Sequence, residues 1–370
     1  MRALLLILDS VGCGHAPDAA AYGDEGADTL GHIDAQTPNL DALGLAAIMG
    51  RECAPPRASW GRMRERSAGK DTTTGHWELA GVITANPLGT FAHFPEELLH
   101  AIEHEVGVKF IGNYAQSGTA ILDELGAEHV RTGHPILYTS ADSVLQIAAH
   151  EDVLPLERLY EICQVARIHA SAHRVGRVIA RPFTGKPGAW KRTSGRRDFS
   201  LVPPPTVLNA ITDAGLPVRG IGKISDIFAD SGITDSTPTK TNAEGMAAIA
   251  RLWDETERGL LFANLVDFDM LFGHRRDPAG YAQALAEFDA WLPSFLEKIA
   301  PADLVIITAD HGNDPTWRGS DHTREEVPLL VLHGGRTSAL GTRGTFADVA
   351  ASLAEFFRLT QPWPVGESFS

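Results

Sequence analysis

Asp303-Leu-Val-Ile-Ile-Thr-Ala-Asp310-His311-Gly-Asn-Asp-Pro-Thr-Trp-Arg-Gly-Ser-Asp321-His322-Thr-Arg-Glu-Glu-Val-Pro-Leu-Leu-Val331 opens as a buried-type apolar run and stops on Asp-His-Gly. The β-rich run Leu304 to Thr308 fits a central parallel strand, and ligand sites in open α/β sheets lie beyond the carboxyl ends of such strands. Asp310 and His311 are therefore expected there, where a turn into glycine lets both converge on an ion. His322 follows just before a second apolar run, Val327 to Leu332. One carboxylate and two imidazoles suit a borderline divalent ion such as Mn²⁺ or Zn²⁺. Taken singly, each residue has an ordinary explanation as a strand end, a loop residue or a turn residue, so the other ligands must come from elsewhere in the chain.

Two further stretches repeat the form. Ala3 to Leu8 runs into Asp9-Ser-Val-Gly-Cys-Gly14, and Gly259 to Val266 runs into Asp267-Phe-Asp269-Met-Leu-Phe-Gly-His274. The first carries a GxG without the third glycine of a dinucleotide fingerprint. In the second, Asp267 and Asp269 compete, and Asp269 with His274 spans a short glycine-containing loop. Asp9, Asp269, Asp310, His274, His311 and His322 are too many ligands for one catalytic ion with open positions. They match two ions about 4 Å apart.

Gly69-Lys-Asp-Thr72-Thr73-Thr74-Gly-His-Trp-Glu78 places three hydroxyls before a short helix expected over Trp77 to Gly81. Capping is the plain reading of a threonine there. A hydroxyl at a helix N-terminus also meets free N–H groups and a favourable dipole, which suits a residue carrying a phosphoryl group. Coordination to metal would let Thr72 act as a nucleophile and accept phosphate covalently.

The chain of 370 residues carries 47 acidic and 32 basic side chains, a net charge of −15 that disfavours nucleic acid and anionic membranes as partners. Its 44% apolar content is that of an ordinary globular protein. Cys13, Cys53 and Cys163 suggest neither a disulfide framework nor a cysteine-rich zinc site. The Ala3–Leu8 run is too short for a signal-peptide core or a membrane span. A cytoplasmic location is expected, and nothing signals an obligate protein partner.

Breakers at Asn86-Pro87 and Pro203-Pro-Pro205 bound an inserted block, giving a discontinuous core of 1–88 with 206–370 and an inserted domain of 89–205. The insert is expected to hold strands at Pro135–Thr139 and Val175–Ala180, and helices at Ser143–His150 and Leu156–His169. Ser140 and Asp142 read as caps of the first of those helices. The basic run through Arg177, Arg181, Lys191, Arg192, Arg196 and Arg197 is either a solvated face or a set of phosphate grips. Outside the insert, Thr37-Pro38 reads as a helix start and Leu216–Ile221 as a strand. Thr345 and Asp348 have capping-box-like spacing before a C-terminal packing helix.

Leu8-Asp-Ser-Val-Gly12, Gly26-Ala-Asp-Thr-Leu-Gly-His32, Lys70 through Glu78, Val266-Asp-Phe-Asp269 with Gly273-His-Arg-Arg-Asp277, and Thr308 through Gly312 with Asp321 through Glu325 closely resemble the bacterial phosphopentomutases of the alkaline phosphatase superfamily. Within the insert, Gly118 through Gly126, Tyr138 through His150 and Gly176 through Phe183 match too, so the resemblance covers nearly the whole chain. It implies an α/β fold: an alkaline-phosphatase-like core with a mainly parallel sheet and helices on both faces, plus an inserted α+β cap.

The resemblance also implies interconversion of ribose or deoxyribose 1-phosphate with the 5-phosphate through a phosphothreonine enzyme and a 1,5-bisphosphate. Two Mn²⁺ ions per chain follow from it, one held by Asp9, Asp310, His311 and Thr72, the other by Asp269, His274 and His322. Thr72, directly after Lys-Asp, matches the phosphorylated nucleophile, and Thr73 and Thr74 do not. Ser140, Asp142, Val144, Arg177, Ile179 and Arg192 match substrate contacts in the cap, and Lys223 is a further candidate. A sugar bisphosphate, ribose 1,5-bisphosphate or glucose 1,6-bisphosphate, would prime the enzyme, and cap closure would exclude water.

The chain departs from the family pattern in a short Asn86–Glu96 segment, in Asn313 where a cysteine is expected, and in His15 where an acid is expected. The alternative activity compatible with the same ligands is a metal-dependent phosphatase or another phosphosugar mutase.

Overall fold

The computed structural model describes residues 1–140 and 143–369, so Asp142 lies outside the described residues. The chain divides into two compact units, Met1–Asn86 with Pro203–Ser370, and Pro87–Val202. The division falls at the Asn-Pro and Pro-Pro turn signals, a few residues ahead of the expected 88/89 and 205/206 junctions.

The core begins with β1 (Arg2–Leu8) and β2 (Ser59–Met63). The insert holds β3 (Ile111–Ala115), β4 (Ile136–Thr139), β5 (Val144–His150), β6 (Arg177–Thr184), β7 (Lys191–Arg192) and β8 (Arg197–Ser200). The core resumes with β9 (Val218–Ile221), β10 (Asp235–Thr237), β11 (Gly259–Leu265), β12 (Leu304–Thr308), β13 (Val327–His333) and β14 (Ala339–Arg343).

The core sheet runs β10-β9-β11-β1-β12-β13-β2-β14. It is mainly parallel: β1 pairs in parallel with β11 and β12, and only β13 runs antiparallel to both its neighbours. Every residue of β11 and β12 is buried, and so is β1 after Arg2. A strand buried on both faces needs cover on both, which explains why these runs are continuously apolar rather than alternating. β1, β11 and β12 are adjacent and parallel, so the loops after them share one edge of the sheet. Ile7 pairs with Thr308, which brings Asp9 and Asp310 out of the sheet at the same level.

In the insert, β3-β4-β5-β6-β7 form a second sheet with β8 paired to β6. The expected helix at Ser143–His150 is instead β5, antiparallel to β4 and parallel to β6. All its residues are buried, Gln146 and His150 included, and so short a run fits a central strand as well as a helix. Ser140 therefore closes a strand and caps no helix. Ser143 Oγ donates to the Gly89 carbonyl at 2.5 Å and accepts from Gly176 N, tying the start of the insert to the β5–β6 edge. The helix expected from Leu156 runs Leu156–Ala172 and packs its Leu159, Ile162, Cys163 and Ala166 into the core behind β5 and β6.

Two capping expectations also change. The helix Thr72–Leu79 is capped by Asp71, whose carboxylate accepts from Thr73 N and Thr74 N, so no threonine serves as its cap. Thr345 and Asp348 form no capping box: Thr345 donates to Glu78 Oε1 at 2.6 Å, while Asp348 opens the helix Asp348–Phe356 and pairs with Arg343. The helix Pro38–Leu43 does begin after Thr37, but its amides Asn39 N and Leu40 N are satisfied by the Asp289 carboxylate of a distant helix.

Among the described residues, no helix is long and apolar enough to cross a membrane.

Candidate metal centre

Asp9 leaves β1 and is followed by Ser10 with φ +72°, a left-handed turn that ends the strand and aims the carboxylate along the sheet edge. Ser10 N donates to Asp310 Oδ1 at 3.1 Å, so one oxygen of Asp310 is fixed and Oδ2 faces the site. His311 Nε2 lies 3.3 Å from that Oδ2, 3.5 Å from Asp9 Oδ1 and 3.2 Å from Thr72 Oγ1.

Thr72 is the first residue of its helix. The helix is docked against β12 by Gly75, where a Cβ would lie 2.0 Å from the Asp310 carbonyl oxygen. Glycine is required there by close approach rather than by backbone angle.

After β11 the chain forms a π-helical turn, Phe268–Gly273, in which His274 N donates to Asp269 O. Such wide turns recur at functional sites. Here the turn brings His274 Nε2 to 3.2 Å from Asp269 Oδ2, and His322 Nε2 stands 3.5 Å from Asp269 Oδ1. Asp267, the competing carboxylate, points away: it accepts from Asn242 N while its own N–H donates to Asn242 Oδ1.

Two ligand groups emerge, Asp9 with Asp310 and His311, and Asp269 with His311 and His322, each with its donor atoms within 4.8 Å of one another. His311 stands between them, its ring centroid 4.1 Å from that of His322.

Three observations test whether these residues suit metal. Asp9 Oδ1, Asp310 Oδ2 and His322 Nε2 are buried without a hydrogen bond, a costly arrangement unless a cation completes it. The imidazoles of His274 and His311 donate from Nδ1 to the carbonyls of Ser320 and Gly312, which leaves each Nε2 lone pair facing the carboxylates. Charge is the third. Burial and then the Asp310 charge lift Asp9 to about 6. Burial opposes ionisation of Asp310 as well, but His311 and His76 outweigh it and hold that carboxyl at about 2. Burial likewise works against protonated His311, and Asp310, Asp269 and Asp9 together raise it. Such crowding of carboxylates in a buried site is what a divalent ion relieves. The residues present fit the implied metals.

Beyond the expected residues, the structure adds a supporting shell. Asn313 Nδ2 donates to Asp269 Oδ1 at 2.7 Å, and Arg276 donates to Asn313 Oδ1 at 2.6 Å and to the carbonyls of Gly273, Asp314, Gly319 and Asp321. Arg276 thus staples the His274 loop to the His322 loop. In the sequence Asn313 stands out only as a departure from an expected cysteine, and Arg276 only as part of the Gly273–Asp277 motif; neither shows locally that it braces Asp269. Glu325 accepts from Gly14 N, Thr29 N, Thr29 Oγ1 and Thr323 Oγ1, tying the loop after Asp9 to the segment between His322 and β13. A Cβ at Gly12 or Gly312 would strike this carboxylate.

Lys223, expected to touch substrate, stands with Nζ 3.4 Å from Asp9 Oδ2 at the edge of the ligand set. The other expected substrate contacts belong to the insert. There Val144 pairs with Arg177 and Gln146 with Ile179, which puts Val144, Arg177 and Ile179 on one face of adjacent strands. Arg177 lies 3.5 Å from Asp198, and Ser140 follows β4. Arg192 sits on β7 opposite Phe183, with its guanidinium against Gly118.

A family description, the metalloenzyme superfamily, matches residues 1–361. The phosphopentomutase of Anaeromyxobacter dehalogenans (strain 2CP-C) is 53% identical, covering 100% of this chain and 97% of its own length. That of Caldanaerobacter subterraneus subsp. tengcongensis is 52% identical with the same coverage, 100% and 97%. Among solved structures, a Pyrococcus horikoshii protein covers 98% of each chain with a TM-score of 0.52 at 15% identity. The Leishmania mexicana phosphoglycerate mutase covers 99% of this chain and 97% of its own with a TM-score of 0.50 at 11% identity. At those identities the two structures speak for the fold alone. The sequence relatives go further: the chain belongs to the phosphopentomutase family of isomerases, within the metalloenzyme superfamily.

Proposed function

We propose that this chain interconverts ribose or deoxyribose 1-phosphate and the corresponding 5-phosphate through a phosphorylated Thr72 and a 1,5-bisphosphate, at a centre holding two divalent ions, Mn²⁺ by family resemblance. The observation that carries it is the place of Thr72, with its hydroxyl 3.2 Å from the imidazole that stands between both ligand groups. Asp9, Asp310, His311 and Thr72 would hold one ion, and Asp269, His274 and His322 the other. When bound, the ions neutralise phosphoryl charge and make the threonine hydroxyl a competent nucleophile near neutral pH.

The chain's own groups do the rest. Thr72 at the first helical position meets the N-terminal dipole, and Asp71 leaves the helix intact while occupying the amides of Thr73 and Thr74. Phospho-Thr72 gives its phosphoryl group to the free hydroxyl of an incoming pentose monophosphate: the threonine O–P bond breaks, a sugar O–P bond forms and the proton of the sugar hydroxyl passes to the freed Thr72 oxygen. The bisphosphate reorients. Its other phosphoryl group returns to Thr72, and the freed sugar oxygen regains a proton, so the cycle consumes nothing.

In this reading Ser140, Asp142, Val144, Arg177, Ile179 and Arg192 are the pentose-selecting residues of the insert, and Lys223 is a further substrate-contact candidate of the core. The test is incubation with Mn²⁺, ribose 1-phosphate and glucose 1,6-bisphosphate. Ribose 5-phosphate is the expected product. Release of inorganic phosphate faster than isomerisation would favour a phosphatase instead.

A further inference from the structure

His76 belongs to the same motif as Thr72, yet neither the ligand set nor the phosphoryl transfer uses it. Its side chain is wholly buried on the second turn of the Thr72–Leu79 helix. Nδ1 donates to the Thr72 carbonyl at 2.8 Å and lies 3.0 Å from Asp310 Oδ2. On the other side of the ring, Asn264 Nδ2 donates to Nε2 at 3.3 Å, so the proton of a neutral imidazole is on Nδ1. Phe262 stacks on the ring, with centroids 5.8 Å apart and planes inclined by 27°. Both partners come from β11, so the ring's orientation is set by the sheet.

We infer that His76 is a positioning residue: its Nδ1–H holds the Thr72 carbonyl while the same nitrogen faces the Asp310 carboxylate at 3.0 Å, setting the nucleophile and that ligand at one fixed spacing. The inference rests on the reading of Thr72 as nucleophile and Asp310 as ligand. Groups that orient a ligand from behind change metal affinity or activity by about 10- to 100-fold when removed.

The experiment separates donor from ring. His76→Phe keeps the ring and its stacking but has no N–H, whereas His76→Asn keeps a donor near the Nδ1 position and loses the ring. Mn²⁺ affinity is measured by calorimetry, together with kcat, KM and Tm. The Phe variant is expected to bind Mn²⁺ about 10- to 100-fold more weakly and to lose kcat by a similar factor with KM little changed. The Asn variant is expected to recover most of both at a lower Tm. A role in packing alone predicts the reverse order, and a Phe variant equal to wild type, or an Asn variant no better than Phe, overturns the inference. Should the Phe variant not fold, the Asn variant decides: affinity and kcat within about threefold of wild type support the inference, and losses of about tenfold or more overturn it. Wild-type protein that binds Mn²⁺ without isomerising pentose phosphates would overturn the functional reading while leaving the affinity comparison to judge His76.

Discussion

Thr72 Oγ1 and His311 Nε2 stand 3.2 Å apart, joining a helix N-terminus to a strand-end loop from a remote part of the chain. The contact sets a hydroxyl beside an imidazole that two carboxylate groups share. Separate consequences follow for each side of it.

Replacing His322 by Ala removes a ligand of the Asp269 group while leaving Asp9, Asp310 and His311 in place. Wild-type protein is expected to bind two Mn²⁺ ions and the variant one, with mutase activity reduced at least about 100-fold. Calorimetry and metal analysis after desalting measure the stoichiometry. Two ions retained by the variant would refute the assignment.

Gly75→Ala places a methyl group 2.0 Å from the Asp310 carbonyl oxygen and 3.1 Å from its Cβ. Backbone on both sides prevents escape, so the helix must lift away from the strand. Overpacking of this kind costs about 1–3 kcal/mol and moves Thr72 from the ligands. Gly344, where a Cβ meets nothing within 4 Å, is the control, and Gly344→Ala should change stability by less than about 0.5 kcal/mol. Urea midpoints and mutase assays on both variants check this.

The legible part of the molecule was the part written as strand-then-carboxylate. β1, β11 and β12 announce themselves because a strand buried on both faces must be continuously apolar, and Asp9, Asp269 and Asp310 mark where each one ends. β5 was misread as a helix because seven consecutive buried residues show neither period. Asp289 capping a helix some 250 residues away, and Arg276 stapling two loops through carbonyls, leave no local pattern at all. His76 sat in a quoted motif, but only the fold shows that its ring faces Asp310.

Glu325 gives the protein a pH-dependent term. Burial lifts its carboxyl to about 7 from the ordinary 4.5, against the opposing donors of Thr323, Thr29 and Gly14. The Thr29 and Thr323 hydroxyls can turn to accept when the acid is protonated. The folded protein therefore keeps a proton that the unfolded chain gives up near 4.5. This contribution to stability is complete below that pH and is lost as pH rises through about 7, on the order of 3 kcal/mol in all. Glu325→Gln cannot ionise, so metal-free variant protein should lose less stability than wild type between about pH 5 and 8. Parallel urea midpoints for the two proteins across that range would contradict the assignment.

The most direct test of the account is mass-spectrometric mapping of phosphate after incubation with Mn²⁺ and glucose 1,6-bisphosphate. One phosphate on Thr72, none on Thr73 or Thr74, and loss of both label and isomerisation in Thr72→Val are predicted. Phosphate on another residue, or ribose 5-phosphate formed by Thr72→Val at the wild-type rate, would contradict it.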